Sequence, residues 1–256
     1  MNKRFLIINA DDAGLHPEIN AGILDAVKAG VVTSVSLLVN KPHICDVKTL
    51  FDAGISLGLH FNLTRGFPCA RPLPVTLIGE KGTFSPEGHE RTSSFNEDDI
   101  RREMKAQFER FQEICGIIPD HLDAHKHLHR KDEVIFDIMI ETAIEFAIPL
   151  RSLTDTMRKR CRASGVLTTD HFIGDVDPSP YWTVKRLINQ LATLPPGLTE
   201  MMCHPGRKTG SIEELWYVSE RNIELCTLLS NAARGAFSAV ELINFRDIPR
   251  AMNGLP

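Results

Sequence analysis

Residues 5–14, FLIINADDAG, carry the first strong structural signal of the chain. Residues 5–9 form a short apolar run, which is typical of a strand buried on both faces in a parallel sheet. Acidic residues follow at once, and residues 17–29 then repeat apolar side chains at helical spacing. A buried strand that leads through acidic residues into a helix predicts the first β/α unit of an α/β protein.

The same alternation of short apolar runs and amphipathic segments continues along the sequence. Further strands are predicted at residues 34–39, 55–61, 119–124, 148–152, 198–203 and 239–243, and further helices at 44–53, 97–115, 133–146, 181–194 and 212–232. Residues 155–180 show no clear element. Repeated β/α units imply a parallel sheet, and both an open doubly wound sheet and a closed or nearly closed β/α barrel fit. Nucleotide-binding folds are disfavoured, because no G-x-G-x-x-G follows the first strand and no Walker A sequence occurs.

The composition is that of an ordinary globular protein. The 256 residues are 43% hydrophobic and 24% charged, and we expect one domain over residues 1–256. The net charge of -4 indicates no basic surface for nucleic acid, and the basic run 158–162 is expected on a solvated face. No apolar segment approaches the ~20 residues that span a membrane.

Six cysteines are spread along the chain without a C-x-x-C pair. This spacing argues against a zinc ribbon and against a disulfide scaffold, and it predicts reduced, buried thiols. Residues 1–10 lack the apolar core and the cleavage site of a signal peptide. We therefore expect a cytoplasmic protein, and a homodimer is the default expectation for its oligomeric state.

Polar residues follow several predicted strands at the point where each strand ends. Asp11 and Asp12 follow the first strand, His60 ends the third, and a histidine-rich segment follows the fourth. Arg151 and His204 end two later strands. Active sites of parallel α/β proteins lie at the carboxyl ends of the strands. We therefore expect these carboxylates, imidazoles and guanidinium at one rim of the sheet.

Asp11 and Asp12 are adjacent, so their side chains point in different directions from a strand end and can serve different roles. One carboxylate can bind a cation while its neighbour remains available as a base. The structural alternative is that Asp12 caps the helix that begins near Pro17 or makes an Asx turn. The buried strand directly before the pair favours the chemical role.

Residues 121–129 read HLDAHKHLH. In an extended chain the odd-numbered residues share one face, and such a ladder of imidazoles is explained by metal ligands and supporting groups. A catalytic metal site usually has three protein ligands and an open position, so not all four histidines can be ligands. His121, His127 and His129 are candidates for supporting roles. The alternative is an exposed histidine-rich loop that binds metal adventitiously.

Two further histidines end strands beside small residues. His60 follows Gly58, where another segment can approach the backbone closely, and it is either a metal ligand or a satisfied core residue. His204 precedes Pro205 and Gly206, which predicts a turn that exposes the imidazole at the rim. An ordinary histidine pKa suits His204 to protonate a leaving group, and the alternative is a turn histidine without chemistry.

The segments NADDAG (9–14), GLHF (58–61), HLDAHKHLH (121–129) and HPG (204–206) occur in this order, with Thr33-Ser34 and Leu38-Val39 between the first two. Together they resemble the YdjC-like carbohydrate deacetylases, the family of chito-oligosaccharide deacetylases. The first segment usually reads NADDFG in that family, so Ala13 replaces Phe, and Lys126 stands where His is common. Neither difference falls on a proposed ligand.

The resemblance implies an α/β fold, a single-domain distorted β/α barrel similar to the polysaccharide deacetylases. It implies that Asp12, His60 and His125 hold one divalent metal ion and that Asp11 is the base. It also implies hydrolysis of an N-acetyl group from an amino sugar, with a small carbohydrate as substrate.

The remaining roles follow from the chemistry of this reaction. His204, or less favourably His127, would protonate the departing amine, and Arg151 would orient Asp11 through a charge-assisted hydrogen bond. The ion could be zinc or magnesium. One carboxylate and two imidazoles suit zinc or another transition metal better.

Two other functions fit the same residues. One is a different mononuclear or binuclear metal hydrolase, such as an amidohydrolase or a phosphoesterase, and the other is a non-catalytic sugar- or metal-binding protein. Asp11 argues against a protein that only binds its ligand, because such a site gains little from a second carboxylate beside the one that holds the metal. Residues 64–96 and 155–180 are expected to shape the substrate pocket. The aromatic residues that could stack on a sugar, with core packing as the alternative, are Phe67, Phe84, Tyr181 and Trp182.

Overall fold

The computed structural model describes residues 3–85, 92–174, 180–210 and 217–253. The strands in these ranges are β1 (Arg4–Ala13), β2 (Ser34–Leu37), β3 (Ser56–Phe61), β4 (Leu122–Ala124), β5 (His171–Ile173), β6 (Gly197–Cys203) and β7 (Glu241–Leu242). The α-helices are α1 (Pro17–Lys28), α2 (Val47–Asp52), α3 (Glu97–Cys115), α4 (Leu128–Lys131), α5 (Glu133–Glu145), α6 (Asp155–Ala163), α7 (Val184–Ala192), α8 (Ser219–Leu229), α9 (Asn231–Phe237) and α10 (Ile248–Asn253). Short 3₁₀ helices occur at Thr92–Ser94, His125–His127 and Phe245–Asp247.

The strands form one parallel sheet in the order β4-β3-β2-β1-β6-β5, with β7 beside the first residues of β1. Beyond β4, Leu122 pairs with Leu150, and the N–H of Leu150 donates to the carbonyl of Leu167 at 2.9 Å, shortly before β5. These contacts bridge the gap between the two edge strands. The sheet is therefore a curled, distorted β/α barrel, and the α/β fold class predicted from the sequence is confirmed.

β1 is buried on both faces because its side chains alternate between two apolar regions. Leu6 and Ile8 pack into the main core, whereas Phe5 and Ile7 pack into a smaller cluster. The other members of the smaller cluster are Leu198, Ile243, Phe245, Ile248 and Ala251. Alternation places Asn9 and Asp11 on the same face of β1 as Phe5 and Ile7, so polar groups begin where this cluster ends.

One predicted strand is not formed, and one predicted helix is shorter than expected. The strand predicted at 148–152 is wrong, since only Leu150 pairs with another strand. Pro149 has no N–H to donate to a neighbouring strand, and the chain soon enters α6. The helix predicted at 44–53 begins only at Val47, because the Asp46 side chain caps it by accepting the N–H of Thr49.

Capping residues also change the bounds of two other predicted helices. The helix predicted at 181–194 begins at Val184, because Thr183 caps it. The helix predicted at 212–232 is divided at Ser230, whose extended backbone ends α8 and whose side chain caps α9. Residues 212–216 of that prediction lie outside the described residues, and α8 begins at Ser219. Residues 155–180, which gave no clear element in the sequence, contain α6 and β5.

Three expectations from the sequence concern the basic run 158–162, the cysteines and membrane-spanning segments. The basic run lies on α6, where Arg160 pairs with Glu133 and Asp137. All six cysteines are free thiols. The expectation of buried thiols is confirmed for Cys45, Cys161 and Cys203, whereas Cys69 and Cys115 are half-buried and Cys226 is exposed. Among the described helices, none is long and apolar enough to cross a membrane.

Candidate active site

Asp11 and Asp12 both reach the same cleft because β1 is irregular at its end. The pairing with β2 shifts register between Ala10 and Ala13, and Asp12 has a φ of 70°, in the left-handed region. This backbone conformation costs of order 1 kcal/mol or more for a residue other than glycine, and such strain is concentrated at functional sites. Asp12 does not cap the following helix, since His16 does so.

Asp12, His60 and His125 converge in a buried cluster whose possible ligand atoms all lie within 4.8 Å of one another. Oδ1 of Asp12 lies 2.9 Å from Nδ1 of His125 and 3.4 Å from Nε2 of His60. This oxygen is buried and has no hydrogen-bond partner among the described residues. Donor atoms that share one ion at about 2.1 Å lie roughly 3 to 3.5 Å apart. The three residues therefore fit a divalent cation.

The electrostatics of this cluster also favour a cation. Burial alone would lower the pKa of His60, but the carboxylates of Asp123 and Asp11 outweigh it and raise the pKa to about 10. Burial would raise the pKa of Asp12, yet the guanidinium of Arg221 helps to hold it well below its usual range. The pKa values of Asp12 and Asp123 are both lowered, so these two buried carboxylates stay charged beside His60, and buried charges are normally paired or bound to metal.

Asp123 fixes the orientation of His60. Nδ1 of His60 lies 2.7 Å from Oδ1 of Asp123, which leaves Nε2 facing Asp12. A carboxylate behind a ligating histidine is typical of metal sites, because it sets the tautomer and the ring orientation. Asp123 is itself held by the Ser36 hydroxyl at 2.7 Å and by Arg151 at 2.8 Å.

Arg151 holds the second carboxylate of the site. Its Nη1 and Nη2 donate to the two oxygens of Asp11 at 2.7 and 2.8 Å, and the Asn9 amide donates to Oδ1 at 2.7 Å. Nε of Arg151 donates to Glu200 at 2.7 Å. Burial would lower the pKa of Arg151, but the carboxylates of Asp11, Asp123 and Glu200 raise it well above its ordinary value. The structure therefore brings Arg151 to the residue that the sequence analysis paired with it.

His204 follows β6 and lines the same cleft as the two aspartates. The backbone N–H of His204 donates to the carboxylate of Glu224 at 2.6 Å. The imidazole ring lies beside the rings of Tyr181 and Tyr217, with centroids 5.4 and 5.6 Å away. Burial lowers the pKa of the imidazole to about 4, against the opposing field of Asp12. The ring is therefore neutral at pH 7.

The cleft has a volume of about 510 Å³. Five of the six predicted site residues line it, namely Asp11, Asp12, His60, His125 and His204. The sixth, Arg151, lies fully buried behind Asp11. Cationic side chains also line the cleft: Arg65, Lys126, Arg130, Lys131 and Arg221.

The expectation that residues 121–129 form one extended ladder is wrong. The strand ends before His125, and positive φ values at Lys126 (54°) and His127 (53°) turn the chain into helical segments. His125 and His127 line the cleft as a result, and His121 does not. The residues therefore take different positions although their spacing is regular.

His121 lies inside the barrel, in space that a glycine leaves open. A Cβ added to Gly58 would lie 2.2 Å from the ring of His121. The ring stacks on Phe245 with centroids 3.9 Å apart, and Nε2 lies 3.0 Å from the hydroxyl of Ser36. His129 is also buried but does not line the cleft.

Of the four aromatic residues expected to stack on a sugar, only Tyr181 lines the cleft. Phe84 and Trp182 are each 1% exposed and belong to the core. Trp182 is fixed there because its Nε1 donates to the carbonyl of Met202 at 2.7 Å. Phe67 is 63% exposed and lies outside the cleft lining.

Three residues on or beside α8 also belong to the site but were not predicted from the sequence. Arg221 donates to Oδ2 of Asp12 at 2.5 Å. The hydroxyl of Tyr217 donates to Glu224, and burial raises the pKa of Glu224 to about 7. Arg221 is separated from Asp12 by 209 positions and stands in a helical segment of ordinary composition, so no local pattern distinguished it.

Comparisons of sequence agree on one family. The family model described as YdjC-like protein matches residues 5–239. A carbohydrate deacetylase of Clostridium beijerinckii is 33% identical over 249 residues, which are 95% of this chain and 99% of the relative. A chitooligosaccharide deacetylase of Proteus mirabilis is 33% identical over 241 residues, which are 91% and 93% of the two chains.

Solved structures share the fold. A crystal structure from Enterococcus faecalis V583, whose description proposes cellobiose-phosphate cleavage, has a TM-score of 0.83 and 26% identity over 96% of this chain and 99% of that one. The Xyl-CE4 domain of a xylanase from the hindgut metagenome of Trinervitermes trinervoides has a TM-score of 0.54 and 9% identity, and covers 98% and 92% of the two chains. The expected likeness to the polysaccharide deacetylase fold is confirmed. The motifs, the barrel and the matches over nearly the whole length show that this chain belongs to the YdjC-like protein family.

Proposed function

We propose that this protein is a metal-dependent carbohydrate deacetylase that hydrolyses the N-acetyl group of an amino sugar. The observation that carries the proposal is the convergence of Asp12, His60 and His125 beside a second carboxylate, Asp11, which Arg151 holds through both oxygens. The curated relatives are named as carbohydrate and chitooligosaccharide deacetylases, which supports the same class of reaction.

Asp12, His60 and His125 are the residues that would hold the ion. When bound, a divalent cation supplies Lewis acidity towards the acetyl carbonyl and lowers the pKa of water in the site. Two imidazoles and one carboxylate favour zinc or another transition metal over magnesium, which prefers oxygen ligands.

Asp11 is the proposed base. Arg151 donates to both of its oxygens and Asn9 donates to one of them, so the carboxylate is held in one orientation. Asp11 takes a proton from the attacking water as the oxygen of that water bonds to the acetyl carbon. The C–N bond then breaks, and the products are acetate and the free amine.

His204 is the proposed acid that protonates the departing amine. It lines the same cleft as Asp11 and is flanked by Tyr181 and Tyr217. Because burial lowers its pKa to about 4, the ring is neutral at rest. His204 therefore takes up a proton from solvent as negative charge develops on the substrate and passes it to the amine nitrogen, and Asp11 returns its proton to solvent when acetate leaves.

One ion per chain fits the site better than two. A second group of possible ligands, Asp11, His60 and Asp123, shares His60 with the first group. Both of its carboxylates are already bonded to Arg151. Elemental analysis of the purified protein measures the stoichiometry, and two tightly bound ions per chain would contradict the proposal.

A phosphorylated amino sugar is a second hypothesis for the substrate. Arg65, Lys126, Arg130 and Lys131 line the cleft, and such side chains attract an anionic substituent. The Enterococcus structure carries a description of cellobiose-phosphate cleavage, which points the same way. Phosphorylated and unphosphorylated sugars therefore belong in one screen.

The test is a screen for acetate release. The substrates are N-acetylglucosamine, N,N′-diacetylchitobiose and the 6-phosphate of each, with Zn²⁺ and Mg²⁺ added separately. We expect release from at least one of them, and a loss of about a hundredfold or more in Asp11→Asn with metal binding retained. Asp25→Asn is the matched control, since Asp25 pairs with Arg207 outside the cleft.

Two outcomes would contradict the proposal. Failure on all four sugars would redirect the search towards other amides or esters. Full acetate release by Asp11→Asn with a normal metal content would exclude Asp11 as the base.

A further inference from the structure

Arg221 contacts the carboxylate oxygen of Asp12 that faces away from the two histidines. Its Nη2 donates to Oδ2 at 2.5 Å, whereas His60 and His125 approach Oδ1. Nε of Arg221 donates to the carbonyl of Tyr217 at 2.9 Å, which fixes the plane of the guanidinium. The two oxygens of Asp12 therefore have different partners.

Stability alone is a poor explanation for this buried cation. Arg221 is 4% exposed, and its Nη1 has no hydrogen-bond partner among the described residues. An unsatisfied buried donor costs about 1–3 kcal/mol, and a buried guanidinium also loses its hydration. A divalent ion beside Asp12 would add repulsion, since both groups are positive. The contact is better explained by the geometry that it imposes on Asp12.

Close packing of glycines brings Arg221 to this position. Gly206 follows the turn after His204, and a Cβ added to it would lie 3.0 Å from Cβ of Arg221. The N–H of Gly206 donates to the carbonyl of Arg221 at 3.1 Å. A Cβ added to Gly22 of α1 would lie 2.4 Å from Cα of Gly206. The helices α1 and α8 thus pack closely against the turn after β6, at glycines where a larger side chain would collide with its neighbours.

We propose that Arg221 is a positioning residue that restricts Asp12 to ligation through one oxygen. With Oδ2 held by Nη2, only Oδ1 is available to an ion, and a coordination position remains open for the substrate. Without Arg221 the carboxylate can supply both oxygens and fill that position. The inference rests on the proposed function, because it requires that Asp12, His60 and His125 bind a divalent cation.

Co²⁺ is the probe, because its visible absorption weakens as its coordination number rises from four or five to six. We expect Arg221→Gln to bind Co²⁺ with a weaker visible band, and to lower kcat for acetate release at saturating Co²⁺ by about tenfold to a hundredfold. Arg221→Lys retains a donor that can reach Oδ2 but lacks the planar fork, so it should restore part of the band and part of kcat.

Arg207→Gln is the matched control, since Arg207 adjoins the same turn but pairs with Asp25 outside the cleft. It should retain the spectrum and kcat of the unmodified protein, and circular dichroism verifies the folding of each variant. Identical Co²⁺ spectra for the unmodified protein and both Arg221 variants would overturn this inference, even if kcat fell, and would leave the proposed function standing. If the unmodified protein bound no Co²⁺, both would be overturned.

Discussion

Replacing Gly58 by Ala should destabilise the barrel, because the new methyl group has no space. An ideal Cβ at this position would lie 2.2, 2.3 and 2.5 Å from three ring atoms of His121, whereas ordinary contacts begin at 3.4 Å. The ring would therefore have to move by about 1 Å. It is fully buried and stacked on Phe245, with centroids 3.9 Å apart, so it has no free direction in which to move.

The size of the effect follows from these contacts. Overpacking of a close-packed core costs about 1–3 kcal/mol, and loss of the contact between Nε2 of His121 and the Ser36 hydroxyl adds about 1 kcal/mol. We expect Gly58→Ala to lower the free energy of unfolding by about 3 kcal/mol. In a protein of this size the melting temperature should fall by roughly 6–12 °C.

Urea titration followed by circular dichroism measures the loss. Gly79→Ala is the control, since a Cβ at Gly79 meets nothing within 4 Å. The same Gly58 substitution in a His121→Ala background should cost less than about 1 kcal/mol, because the ring that blocks the methyl group is gone. An equal cost in both backgrounds would refute the steric reasoning.

Asp123→Asn should weaken Zn²⁺ binding about tenfold to a hundredfold in isothermal titration calorimetry, because Nδ1 of His60 loses its carboxylate partner; unchanged affinity would exclude this role. Burial raises the pKa of Glu224 from 4.5 to about 7, so the folded state of the unmodified protein loses stability as pH rises through this window. The free energy of unfolding of Glu224→Gln should therefore rise relative to the unmodified protein by up to about 3 kcal/mol between pH 4.5 and 8 in urea titrations, and a constant difference would contradict it. Ellman's reagent should modify exposed Cys226 first under native conditions, and Cys226→Ser should lack the fast phase; a fast phase that persisted would point to another thiol.

The convergence of the site could be predicted because it depends on strand ends. Asp12 and His60 lie at the last position but one of β1 and β3, and parallel strands bring residues near their carboxyl ends to one rim of the sheet. Asp11 and Arg151 meet for the same reason, although Arg151 follows a single paired residue and not a strand. The proximity of these side chains at the rim can therefore be predicted even where the bounds of a strand are predicted wrongly.

The structure differs from the prediction at residues whose position depends on local backbone conformation or on a helix far away in the sequence. The left-handed conformations at Lys126 and His127 are not visible in a pattern of alternating histidines, so the ladder was predicted as extended. Arg221 reaches Asp12 through packing of α8 against Gly206, and that contact depends on the tertiary structure of segments far apart in the chain. Hydrophobic periodicity carries no information of this kind.

The position of β1 in the sheet has a consequence for biosynthesis. Arg4 pairs with Gly197 and Phe5 pairs with Glu241, so partners of β1 lie roughly 190 and 240 residues further along the chain. At about 5–20 residues per second, β7 is completed roughly 10–50 s after β1 has been made. β2 can pair with β1 from Asn9 onward soon after both are made, but the first residues of FLIIN lack their partners in β6 and β7 until those strands have been made. We therefore expect the sheet to be completed only after translation has passed β7, and the apolar side chains at the start of β1 to stay exposed at least until β6 has been made.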